Sequence, residues 1–296
     1  MEKIETHIVP EGIGEIRFVD YAYDLFEALP SHNSVKKAIK KGLLHIDGAP
    51  AESGRWIMPG MCLDLYAKEV TPPKGFEIDL EIIYQDEHMV VVNKPAGIPT
   101  SGNQYRTLEN ALVANVPRSN AKNALQWAKP VHRLDSATSG LLIAARTMEA
   151  RIVLGNMFKE KTIQKTYHAL VIGETPTSGA IDLPIEEQKA YSEFKLLKRV
   201  RSIQCEYLSL LELKPHTGRT HQLRIHTSSL GFPILGDKLY GPEKGNFTGK
   251  GLFLSAVKLE LNHPIDQKPI ELSIPTPHKF ESRMLNDQRR WDKYKG

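Results

Sequence analysis

The stretch Val131-His132-Arg133-Leu134-Asp135-Ser136-Ala137-Thr138-Ser139-Gly140, followed at once by Leu141-Leu142-Ile143-Ala144-Ala145, constrains this chain more than any other. An apolar run of that length, closed by Arg146 and a helix start, has the character of a buried strand, so the polar block before it is a loop held at a strand edge. Loops carried on rigid strands are where chemistry collects. Asp135 is the only acid in this loop, two residues after Arg133 and three after His132, with small hydroxyl residues just beyond. A carboxylate placed so is kept ionised by the neighbouring cation and has space beside it for a substrate. On residue types alone, a surface ion pair with a capping threonine is the commoner explanation.

The order of the residues changes that ranking. His132-Arg133-Leu134-Asp135 followed by Ala137-Thr138-Ser139-Gly140-Leu141 resembles the catalytic motif of RluA-type RNA pseudouridine synthases, enzymes that isomerise uridine within RNA. Further matching blocks follow in order: Lys165-Thr166-Tyr167-His168-Ala169-Leu170-Val171, then Thr217-Gly218-Arg219-Thr220-His221-Gln222-Leu223-Arg224-Ile225-His226, then Ile234-Leu235-Gly236-Asp237-Lys238-Leu239-Tyr240-Gly241. Asn93-Lys94-Pro95-Ala96-Gly97 also resembles the family. The likeness covers roughly residues 80 to 275 and is specific for the reaction, not for the RNA. Tyr191-Ser192-Glu193-Phe194 departs from it, standing where relatives often carry a Thr-x-Tyr pattern.

The resemblance implies an α+β fold with a mixed, mainly antiparallel central sheet and flanking helices, which the succession of short strands and few helices also suggests. It makes Asp135 the nucleophile, acting through an adduct or by removing a sugar proton to give a glycal. Arg224 becomes the cation that pairs with it, and such a pair lowers the acid's pKa and orients its oxygens. Tyr167 becomes the ring that stacks on the flipped uracil, its oxygen near carbon 5. Arg133 is implied to enter the space left by the extruded base, while His132 either braces the loop or touches phosphate. Arg219 and His221 are expected on the RNA, with a helix opening after Gly218 whose free amides offer an anion site. The cleaved glycosidic bond supplies the driving force. No cofactor is expected, and the chain has no phosphate loop or dinucleotide fingerprint.

Ahead of this lies a smaller unit, expected over residues 12–67 after a loose lead-in of eleven residues. Its centre, Ser34 to Gly42, reads as a short helix capped by Ser34 and closed by Gly42, with Val35, Ala38 and Ile39 facing inward. Lys36/Lys40 and Lys37/Lys41 put like charges four residues apart, a cost of roughly a few tenths of a kcal/mol per pair. A solvated face is the common reason for such a helix and phosphate binding the other. Two turn-and-strand signals follow, at Asp47-Gly48 and Pro59-Gly60. The unit resembles the αL RNA-binding module named for a small-subunit ribosomal protein, although Asp20-Tyr21-Ala22-Tyr23-Asp24-Leu25-Phe26 lacks its usual Arg-Leu-Asp opening. Residues 68–76, with Pro72-Pro73, read as a linker, 77–280 as the catalytic domain and 281–296 as a basic tail, either a peripheral helix or frayed. From Pro117 to Pro130 an irregular connection is expected.

A net charge of +4 is too mild to identify a partner, and 25% charged with 41% hydrophobic residues is ordinary for a globular chain. Cys62 and Cys205 offer neither a disulfide framework nor metal spacing and read as core thiols. His216, His221 and His226 recur every five residues, which turns each ring off the preceding face, so no metal is expected. The N-terminus has no apolar signal region and no apolar run spans a bilayer, so a cytoplasmic protein without membrane contact is expected. The resemblance implies RNA as partner, and a monomer is expected. Two alternatives stand beside the isomerase: a catalytically silent RNA-binding or ribosome-assembly protein, and a glycosylase that releases the base.

Overall fold

The computed structural model describes residues 3–23, 25–26, 28–67, 71–242 and 250–295, which divide into two units, Met1–Thr71 and Pro72–Gly296. In the first, strand β1 (Lys3–Ile8) leads to β2 (Ile16–Arg17), α1 (Phe18–Ala22), α2 (His32–Lys40), β3 (Leu44–Ile46), β4 (Ala49–Pro50), β5 (Trp56–Ile57) and β6 (Cys62–Tyr66). One sheet runs in the order β1-β6-β3-β4, and β2 pairs with β5. Phe18, Phe26, Val35, Leu44, Ile46 and Leu63 are fully buried and form its core.

Two expectations change here. The lead-in is a strand: β1 pairs antiparallel with β6, Thr6 Oγ1 donates to Asp64 Oδ1 at 2.6 Å, and Lys3 Nζ lies 3.0 Å from Asp64 Oδ2. Its side chains are mostly exposed, so no apolar alternation betrays it. The cap of α2 is Ser31, not Ser34. Ser31 Oγ accepts from the Ser34 amide, and Ser34 Oγ accepts in return from the Ser31 amide at 3.0 Å, a reciprocal box. Gly42, at φ +65°, follows the helix in the left-handed conformation that ends it. Asp47 and Gly48 both take positive φ, the geometry of the tight hairpin that joins β3 to β4. Asp24 and, within the linker, Lys68, Glu69 and Val70 lie outside the described residues; the rest of the linker has neither helix nor strand.

The second unit continues with β7 (Ile82–Gln85), β8 (Met89–Lys94), α3 (Leu108–Asn115), β9 (Ala124–Pro130), β10 (Ser139–Thr147), α4 (Met148–Glu160), β11 (Gln164–Ile172), β12 (Ser178–Asp182), β13 (Tyr191–Ser202), β14 (Glu206–Pro215), α5 (Gln222–Ser229), β15 (Leu254–Asn262), β16 (Pro269–Ser273) and α6 (His278–Tyr294). Its ten-stranded sheet follows β12-β13-β14-β11-β15-β10-β8-β7, with β16 on β15 and β9 on β10. Every pairing is antiparallel except β10 with β15, which touch in parallel only at Ser139↔Ser255 and Gly140↔Ala256. The mixed, mainly antiparallel α+β architecture is the one expected.

The middle of the sheet is apolar without alternation because both faces are covered. Leu142 and Ala144 of β10 pack with Leu108, Ala111 and Leu112 of α3 on one side. Leu141, Ile143 and Ala145 pack with Ala150 and Leu154 of α4 on the other. The expected irregular connection before the loop holds a strand, β9, paired with β10. The basic tail is the greater part of α6, which buries Phe280 and Met284 in the core, so the boundary drawn at 280 falls inside a helix. Cys62 and Cys205 are free and half-buried. No helix among the described residues is long and apolar enough to cross a membrane.

Candidate active site

The 131–138 loop is suspended between β9 and β10 and fastened from three sides. Leu134 is buried, and both of its backbone groups bond to Thr100 Oγ1, its carbonyl accepting at 2.9 Å and its amide donating at 3.1 Å. The Ser136 carbonyl accepts from the Gly97 amide at 2.7 Å and from Lys94 Nζ at 3.4 Å. Lys94 is fully buried, its ammonium also donating to the carbonyls of Pro95 and Ile98, and burial pushes its pKa down to about 8 against an upward pull from Asp135. Gly140 closes the loop with φ +112°, and any Cβ there would collide with the Ala256 backbone. Only glycine lets β10 meet β15 at that point.

The fastened loop presents Asp135 half-buried on the wall of a cavity of about 960 Å³. Arg224 reaches it from α5, with Nη1 3.6 Å from Asp135 Oδ2, and His221 Nε2 lies 3.7 Å from the same oxygen. The fork of Arg224 is engaged elsewhere. Nε and Nη2 donate to the two oxygens of Asp237, both at 2.7 Å, and Asp237 Oδ1 also accepts from the amides of Leu239 and Tyr240. Arg224 therefore touches Asp135 at one nitrogen only, while its fork clasps Asp237. Burial works against charge on both partners. Their mutual hydrogen bonds, their charge attraction and, for Asp237, the Leu239 and Tyr240 amides together outweigh it, so the arginine pKa is raised and the Asp237 pKa lowered.

His221 lines the cavity in a left-handed conformation at φ 55°, its Nδ1 3.0 Å from the Tyr240 hydroxyl. It is also the N-cap of α5, whose first residue, Gln222, comes three positions later than the start expected just after Gly218. The delay has a cause: Gln222 Oε1 accepts from Thr217 Oγ1 and the Arg219 amide, tying that segment into a loop. The Arg219 amide is thereby occupied, and its Nε donates to the Lys189 carbonyl, which weakens the expected anion site there. His216 pairs with Glu193, and His226 is buried between Ser192 and the Leu183 carbonyl, so the three histidines point to three different places.

Tyr167 lies on β11, packed against core residues from two sides and facing the cavity. Burial and then the charge of Asp135 raise its pKa, so it stays a neutral phenol, and its hydroxyl has no hydrogen-bond partner among the described residues. His132 braces the loop: Nε2 accepts from the Ile143 amide at 3.0 Å and the ring stacks on Phe158. Burial, then Lys165, lowers its pKa to about 3, so the ring is neutral and the phosphate-touching alternative loses its charge. Arg133 is exposed, lines the cavity and has no ion pair among the described residues. Lys36, Lys37 and Lys40 on α2 and Lys41 at its C-cap stand exposed in the other unit.

Residues not singled out from the sequence complete the site: Lys94, Thr100, Asp237 and Tyr240. All but Thr100 sit in motif blocks already recognised, so their positions were visible while their partners were not. The cavity wall carries seven lysines and arginines and one acid, Asp135, an electrostatic match for a polyanion with one reactive carboxylate inside it.

Comparison with known proteins agrees with this geometry. A family model described as RNA pseudouridylate synthase matches residues 88–229, which include Asp135, Tyr167 and Arg224. Ribosomal large subunit pseudouridine synthase D of Pseudomonas aeruginosa is 34% identical, covering 92% of this chain and 92% of its own. An uncharacterised RNA pseudouridine synthase of Aquifex aeolicus is 32% identical over 90% of this chain and 91% of its own. Human RNA pseudouridylate synthase domain containing 1, a solved structure, aligns with a TM-score of 0.57 at 28% identity, covering 67% of this chain and 84% of that one. With the motif loop, the cavity and near full-length relatives in agreement, the chain belongs to the RNA pseudouridine synthases, a family of isomerases.

Proposed function

We propose that this protein converts uridine to pseudouridine in large-subunit ribosomal RNA in the cytoplasm, with Asp135 as the acting carboxylate. The observation that carries the catalytic part is the single acid in a cationic cavity, faced by Arg224 and His221 and sharing the wall with Tyr167. The ribosomal target is supported by the name of the Pseudomonas relative.

The reaction breaks the bond between N1 of uracil and C1′ of the ribose, turns the base, and forms a bond from C5 to C1′; the C5 proton leaves and N1 gains one. The base must first leave its stack. Arg133, exposed and with no ion pair among the described residues, can occupy the vacated space, and the uracil enters against Tyr167. Asp135 then acts on the sugar or base, either by addition or by taking a sugar proton; both routes require the carboxylate ionised and held still. Arg224 supplies the nearby positive charge, and Asp237 keeps Arg224 in place. Because Tyr167 remains protonated, it can move a proton from C5 only by passing its own onward, and Asp135 is the acid on the same wall.

Mapping pseudouridine in ribosomal RNA with and without this gene tests the target. Asp135→Asn tests the chemistry: RNA binding should persist while product formation falls by about 10⁴-fold or more. An active Asn variant would remove Asp135 from the mechanism, and free uracil among the products would make the protein a glycosylase.

A further inference from the structure

On the C-terminal helix, away from the residues that line the catalytic cavity, lies a second concavity of about 630 Å³, lined by Lys250 and by residues of α6. Arg283, Asp287, Arg290 and Tyr294 recur at three- or four-residue intervals and so share one stripe of the helix, with Arg289 and Lys293 beside it. Phe280 and Met284, on the neighbouring face of the helix, pack into the core, and Asp287 is buried beside them, so the stripe is fixed in orientation. Among the described residues, five cations line the concavity with one acid, Asp287, which is buried and bonded to Arg283 at 3.0 Å. The other nearby acid, Asp292, accepts from Gln288 and does not line the concavity.

Arg289 and Lys293 stand four residues apart, and Arg290 and Lys293 three, spacings at which like charges weaken a helix. Among the described residues, no ion pair is made by Arg289, Arg290 or Lys293. From Arg283 to Lys293 the helix runs about 15 Å, long enough to follow several backbone phosphates. Tyr294 closes the row, 65% exposed, with Lys293 Nζ 5.1 Å from its ring centre. Cations in a groove beside an exposed ring suit a single-stranded nucleic acid, whose phosphates follow the charge while a base stacks on the aromatic face.

We infer that the Lys250–α6 concavity is a second RNA site, which holds unpaired backbone flanking the target uridine while the reaction proceeds in the catalytic cavity. This rests on the ribosomal-RNA reading and adds to it a surface that governs affinity alone. The test uses the full chain and a fluorescein-labelled RNA stem-loop with long single-stranded flanks. Arg289→Ala, Arg290→Ala and Lys293→Ala combined should raise Kd about tenfold in low-salt buffer and reduce the slope of log Kd against log salt by about two. Turnover at saturating RNA should match the unaltered protein. The charge-preserving set Arg289→Lys, Arg290→Lys and Lys293→Arg should bind as the original does, and Tyr294→Ala should weaken binding only when the flanks are present. An unchanged slope in the triple alanine variant would overturn the inference. So would failure of the charge-preserving set to bind, or loss of binding to phosphatidylglycerol vesicles with RNA affinity intact. If the unaltered protein made no pseudouridine, the ribosomal-RNA reading would fall while the binding measurement stood.

Discussion

On α2 and its C-cap, four lysines stand exposed and make no ion pair among the described residues, whereas beside the catalytic cavity Arg224 and Asp237 are buried and clasp each other through two 2.7 Å bonds. The first region keeps its charges loose and hydrated, ready for any phosphate. The second spends its charges internally, so that one nitrogen of Arg224 is left near one oxygen of Asp135. Loose charge raises affinity and is screened by salt; fixed charge sets geometry and is not. Under the proposed function the difference divides the work: the clasped Arg224 positions a reacting group, and the loose lysines gather the RNA.

Asp237→Ala strikes the fixed region hardest. It strands a buried guanidinium, so unfolding free energy should drop by about 3–5 kcal/mol and turnover by about 10³-fold. Denaturant titration and single-turnover assays check it, and a variant of full stability would mean that Arg224 is held by something else. Tyr167→Phe should leave stability unchanged and slow turnover by about 100-fold, because the proton route is lost while the ring remains. Equal turnover would reduce Tyr167 to packing.

Lys94→Met sharpens the comparison through pH. The Lys94 pKa of about 8 lies below its ordinary 10.5, so the unfolded chain holds more protons between those values and stability rises with pH across that window. The wild-type gain attributable to this group is about 3 kcal/mol, and it should vanish in Lys94→Met, whose loosened loop also costs about tenfold in turnover. Parallel stability curves for the two proteins would contradict a buried ammonium. Smallest is the joint change of Lys36, Lys37, Lys40 and Lys41 to Ala. It should raise Kd for RNA about tenfold at low salt, flatten the salt slope by about three, and leave turnover at saturation unaltered. A fall in saturated turnover would break the division between the two regions.

The loop bearing Asp135, the strand of Tyr167 and the basic helix are legible because each announces itself locally: a motif, an alternation, an apolar spacing closed by Gly42. Three features are not. The twelve residues of β13 alternate correctly until the register shifts between Leu196 and Lys198, and that bulge breaks the two-residue period. Strand β1 is an edge piece whose side chains are exposed, so its place comes from the backbone ladder. The bond from Arg224 to Asp237 joins residues thirteen apart in sequence, and nothing local distinguishes that acid from Asp135 as the partner. Placement of the charged side chains was thus readable where local pattern decided it and hidden where tertiary contact did.

The parallel touch at Gly140 and Ala256 is the joint between two arms of the large sheet, one running out to β7 and the other to β12. Two residue pairs make that seam, and the catalytic loop hangs from its end. A calliper behaves the same way: a shim at the rivet opens the jaws far more than it weakens the frame. A methyl group added at Gly140 would act as such a shim, and the enzyme would lose its grip on the nucleotide well before it lost its shape.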